Sequence, residues 1–119
     1  SVATRCLGRL GLAIVLEKQA GLLPGPGAAE LLRQAREHDR DVYFGNFLAE
    51  GEVLDTLTKK KAGLEVARLS ELLNEWPQAI ELYRDMNRQK LLSAEDLEAK
   101  VTAAERRKRA ADKAEATAI

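Results

Sequence analysis

The chain has 119 residues, with 19 Lys and Arg set against 19 Asp and Glu, one His, one Cys and five aromatic side chains. That length suits one domain with a single core; the balanced charge excludes a global field that would hold the whole molecule on nucleic acid or an anionic membrane, and the lone Cys6 excludes an intrachain disulfide framework or a multi-cysteine zinc site. Ala, Leu, Glu, Arg and Lys dominate, all strong helix formers, and they predict an all-α protein.

The opening stretch, "SVATRCLGRLGLAIVL", carries Arg5 and Arg9 and has no acidic residue before Glu17. Leu7, Leu10, Leu12, Ile14, Val15 and Leu16 cover most of a helical circumference, so a helix over about residues 7–20 is apolar nearly all round and needs neighbours on more than one side. Gly8 and Gly11 each weaken it by roughly 1 kcal/mol relative to Ala, a cost tolerated where another backbone comes close. Its longest apolar run, Leu10 to Leu16, falls far short of the roughly 20 residues of a spanning helix, so no transmembrane span is expected. An Arg-bearing, hydroxyl-bearing, acid-free start has the composition of a mitochondrial or chloroplast transit peptide. It points to a mitochondrial setting, with a cytoplasmic helical bundle as the alternative.

"GLLPGPG" then reads as a Pro/Gly connector at 21–27, with Gly21 as the cap of the first helix. A second helix is expected from Ala28 to about Leu48, amphipathic through Leu31, Leu32, Ala35 and Val42, and bent or ended at Gly45. The third, from about Glu52 to Leu73, carries Val53, Leu54, Leu57, Leu64, Val66, Leu69 and Leu73 at three- and four-residue steps. Pro77 suits the first turn of a short fourth helix reaching about Asn87, with Ala79, Ile80, Tyr83 and Met86 inward. In "LLSAEDLEAKV", Ser93 is an N-cap, Asp96 completes a variant capping box and Leu92 with Leu97 forms a hydrophobic staple, so a last helix starts at Ala94. Beyond Val101 only alanines sit at core spacing, too little surface to hold this segment in a core. The sum is a small bundle of four to five helices: a core domain at 1–92 and an extended Ala/charge-rich C-terminal helix at 93–119 that projects.

No catalytic, metal or cofactor site emerges, and an enzyme is not expected. His38, in "REHDRD", has Glu37 and Asp41 nearby but no second His or Cys to complete a transition-metal set, so the cluster reads as a solvated charged surface. Cys6 has no base in a framing motif and reads as a buried thiol. "GPG" lacks the lysine and hydroxyl of a phosphate loop. Lys59 to Lys61 read as solvated surface, whereas Arg106, Arg107, Lys108 and Arg109 are dense enough to contact phosphates or lipid headgroups. The apolar first helix and the core-poor last one point to surfaces completed by other chains, with Leu7, Leu10, Ile14, Trp76 and Val101 as the expected partner interface. The expected function is a non-catalytic accessory or scaffold subunit bound to other protein subunits, in a setting such as a mitochondrial respiratory or ATP synthase complex. The alternative is a nucleic-acid-binding helical protein, ribosomal or DNA-processing, that uses the C-terminal basic run.

Overall fold

The structure is a computed structural model and describes residues 1–118. Ile119, the last residue of the predicted 93–119 segment, lies outside the described residues. Five helices follow in order, α1 (Val2–Ala20), α2 (Gly25–Tyr43), α3 (Thr56–Leu72), α4 (Trp76–Arg88) and α5 (Ala94–Thr117), and no strand occurs among the described residues.

Each start has a local cause. The side chains of Ser1, Asp55 and Ser93 accept hydrogen bonds from the backbone N–H groups of Thr4, Thr58 and Asp96, satisfying donors that the first turn leaves free. Pro26 and Pro77 sit in the first turns of α2 and α4, where a missing N–H costs nothing. The stops are equally local. Gly45, Asn74 and Lys90 have φ of 65°, 59° and 62°, and the next residue's N–H reaches back five residues in each case: Asn46 to Asp41, Glu75 to Ser70, Leu91 to Met86. That pairing is the Schellman motif, which turns the chain sharply and satisfies the last carbonyls of α2, α3 and α4.

These caps move several expected boundaries. α1 already begins at Val2, because Ser1 caps it, and the 21–27 connector shortens to 21–24, because Pro26 is accepted inside the first turn of α2. Gly45 ends α2 rather than bending it on to Leu48, and Asp55 delays α3 to Thr56, so Val53 lies in the connection and is exposed.

Packing is chiefly between consecutive helices. Odd helices also reach one another, through Glu17–Arg68 between α1 and α3 and Glu71–Arg107 between α3 and α5. On the even side, the Tyr43 hydroxyl at the end of α2 donates to Asp85 of α4 at 2.7 Å. The helices therefore form two layers, α1, α3 and α5 in one and α2 and α4 in the other. Layers about 8–10 Å apart, built on Cα radii of about 2.3 Å, give a slab of roughly 13–15 Å, and the Cα envelope measures 54 × 35 × 16 Å. The radius of gyration, 15.3 Å, exceeds the roughly 13.5 Å of a compact domain of this length.

The core runs along the seam between the layers. Val42, Tyr43, Val66, Leu69 and Met86 are its largest fully buried side chains. α5 joins through buried Ala104 and half-buried Leu97. From Lys108 to Thr117 it continues for about 15 Å with every residue exposed except half-buried Ala111, the projecting helix expected from its composition.

Candidate functional site

The outer side of α1 is apolar and uncovered. Leu7 is 70% exposed, and Leu12, Ile14 and Val15 are each about half exposed. The two glycines of this helix lie open as well: a Cβ added at Gly8 or Gly11 would meet nothing within 4 Å. The close backbone approach that they predicted does not come from within this chain. Two of the expected interface residues belong instead to the core. Leu10 turns inward with Cys6 toward Val42 and Val66, and Trp76, at the first turn of α4, is buried. Val101 is half-buried. Arg5 is engaged by the connection after α2, pairing with Glu52 and donating to the Phe47 carbonyl, and Arg9 donates to Asp41 of α2 at 3.0 Å.

A second feature runs along α3. Between α1, α2 and α3 lies a cavity of about 190 Å³, with apolar walls from Leu10, Ala13 and Ile14 and with Asp39, Glu17, Lys61, Glu65 and Arg68 around it. Glu65 and Arg68 also line a wider depression of about 530 Å³ between α3, α4 and α5, so the two share a wall. Arg68 holds Glu17 and Glu65 together, donating to Glu17 from Nη1 at 2.8 Å and to Glu65 from Nη2 at 2.6 Å. The Arg68 hydrogen bonds keep the Glu17 carboxyl below its ordinary pKa. Asp39 has no such partner: it is 2% exposed, and no hydrogen bond or ion pair reaches its carboxylate among the described residues. Burial, with Glu65 and Glu17 adding repulsion against the pull of Arg68, pushes its pKa up to about 7.

The basic run divides. Arg106 and Arg109 are exposed, and Lys108 pairs with Asp112 one turn on. Arg107 folds back: its Nε donates at 2.6 Å and its Nη2 at 3.1 Å to the two oxygens of Glu71, which also accepts from the Tyr83 hydroxyl at 2.7 Å. Burial raises the pKa of Glu71, but the hydrogen bonds from Arg107 and Tyr83 outweigh it and hold the carboxyl below its ordinary value. Arg107 therefore anchors α5 rather than standing free for phosphate. Replacing it with Met keeps the aliphatic stem and removes the cation. Because Arg107 remains about half exposed, the expected loss is on the order of 1 kcal/mol. It should appear in urea denaturation at pH 7 together with faster amide exchange in α5. Since the pair stabilises the fold only while Glu71 is ionised, the difference from wild type should fade as pH drops through the lowered carboxyl pKa. Equal stability at pH 7 would show the pair to be idle.

Cys6 is buried, and desolvation pushes its thiol above the usual pKa, against the thiolate form. His38 is half-buried beside Arg5, Gly8, Arg9, Leu12 and Phe47, with Nδ1 unpartnered, while Asp41 is occupied by Arg9 and Asn46. Among the described residues no three His, Cys, Asp or Glu side chains come close enough to share a metal ion. The residues missed by sequence reasoning are Asp39 and Glu71. Asp39 had a signal: Leu32, Ala35, Asp39 and Val42 follow one helical stripe, so the carboxylate stands on the apolar side of α2. No protein-family model, no curated protein and no solved structure matches this chain.

Proposed function

We propose that this chain is a non-catalytic accessory subunit of a larger assembly and docks onto another protein through the outer side of α1. The observation that supports this reading is the row of Leu7, Leu12, Ile14 and Val15, exposed over Gly8 and Gly11 on one long helix. Contiguous apolar surface of this kind is costly in water and is typical of a face that another protein covers. Each of these side chains still has about 1 kcal/mol of transfer free energy to gain on full burial. The open glycines allow a partner helix to lie close to the α1 backbone, helix against helix. The stretch before Glu17, which carries Arg5 and Arg9 and no acidic residue, has a composition that suits a mitochondrial complex, of the respiratory or ATP synthase kind. The basic run lends less support to nucleic-acid binding, because Arg107 and Lys108 are already matched by carboxylates of the chain.

The test is the native mass of the tagged chain drawn from its own cells in mild detergent and moderate salt. Wild type is expected in a particle much larger than 13.1 kDa. Leu7→Glu combined with Ile14→Glu is expected to return the free chain with unchanged helical circular dichroism, since both side chains are exposed. A wild-type chain that runs alone, or a double variant that stays in the particle, overturns the proposal.

A further inference from the structure

The cavity between α1, α2 and α3 contains a charge that the fold itself leaves unanswered. Three carboxylates, Asp39, Glu17 and Glu65, stand around it with two cations, Lys61 and Arg68, so one negative charge is unmatched. Arg68 is committed to Glu17 and Glu65, and Lys61, exposed at the rim, makes no ion pair with Asp39 among the described residues. The unmatched group is Asp39, 98% buried and without a hydrogen-bonding partner among the described residues, and it lines the cavity. A buried carboxylate left bare costs free energy that a cation in contact with it would recover.

We infer that this cavity binds a primary alkylammonium group, with the ammonium against Asp39 and the aliphatic stem along Leu10, Ala13 and Ile14. Size and wall chemistry select that class. A cavity of about 190 Å³ has room for several water molecules, and so for a short aliphatic amine. No three carboxylates here are close enough to coordinate a metal ion, and a hydrated inorganic cation gains nothing from three apolar walls. A compact ammonium on a flexible stem uses both halves of the site. Lysine side chains of another protein and free aliphatic amines share this chemistry. Ile14 borders both this cavity and the outer face of α1, but the inference rests on the groups that the outer face does not include, buried Leu10 and Ala13 of α1 and Asp39 of α2.

The experiment is a titration followed by ¹H–¹⁵N correlation spectra of the whole chain at pH 8 and constant ionic strength. The probes are n-butylammonium, n-butanol as the uncharged analogue, and potassium chloride. Saturable shifts at Leu10, Ala13, Ile14 and Asp39 are expected with n-butylammonium, with affinity at least tenfold lower for n-butanol and for Asp39→Asn. Glu95→Gln, distant in α5, should bind as wild type does. A lysine tripeptide with blocked ends and 1,5-diaminopentane then separate the sources: tighter binding of the peptide assigns the site to a protein lysine, tighter binding of the diamine to a free amine, and either supports the inference. Shifts that do not saturate, equal shifts with potassium chloride, or undiminished binding by Asp39→Asn overturn it.

Discussion

Replacing Gly63 with Val is expected to lower the unfolding free energy by about 3 kcal/mol, and the melting temperature by roughly 12 °C for a chain of this length. Gly63 lies in the interior of α3, where glycine alone costs roughly 1 kcal/mol of helix propensity. The fold accepts that cost because a Cβ at this position would stand 2.7 Å from Cε1 and 2.8 Å from Cδ1 of Tyr43 and 2.9 Å from the sulfur of Met86. Neither neighbour has room to retreat. Both are fully buried, and the Tyr43 ring is held at its far end by its hydroxyl, which donates to Asp85 at 2.7 Å and accepts from Gln89 at 3.3 Å. Gly63→Ala should lose less, about 1–2 kcal/mol, since propensity returns part of the overpacking cost. Urea denaturation of both variants checks the order. An alanine variant as stable as wild type would mean that Tyr43 can shift without breaking the bridge between α2 and α4.

Gly63 also marks the limit of what the sequence discloses. Elements governed by their own ends were legible: Ser93, as N-cap, fixes the start of α5, Pro77 fixes α4 to within a residue, and the alanine-only stripe after Val101 predicts a helix with little to bury. Features set by meetings between distant segments were not. Nothing near Gly63 announces that Tyr43, twenty positions earlier, needs its space. Trp76 reads as an interface aromatic because it stands beside a helix start, yet the sharp turn at Asn74 swings it into the core. Leu10 and Leu7 look alike on a helix that is greasy all round, and only the placement of α2 and α3 decides that Leu10 is inside and Leu7 outside. The same holds for the carboxylates. "REHDRD" reads as one solvated cluster, but a helix turns each residue by 100°, so His38 is half-buried, Arg40 faces water and Asp39 points into the slab.

That burial makes Asp39→Asn a stabilising change whose size depends on pH. With its folded pKa near 7 against about 3.9 in an unfolded chain, Asp39 is protonated in both states in strong acid and imposes no penalty there. As pH rises between these values the unfolded chain releases the proton while the folded chain keeps it, so wild type loses stability with rising pH, and the loss levels off above 7. The full shift corresponds to about 4 kcal/mol; the cavity opens to solvent, and Lys61 and Arg68 stand beside it, so about half of that is expected. Asparagine removes the ionisation at nearly constant volume. The variant should therefore match wild type at pH 4 and exceed it by about 2 kcal/mol at pH 8, measured by urea denaturation across that range. Glu17 on α1 and Glu65, Lys61 and Arg68 on α3 also face the group, and they remain in both proteins, so their own titrations cancel in the difference to first order. A difference that is constant with pH would show that Asp39 is ionised throughout and already solvated. A difference that grows between pH 4 and 7, and shrinks again when n-butylammonium is present at pH 8, would tie the destabilising carboxylate to the cation it is placed to hold.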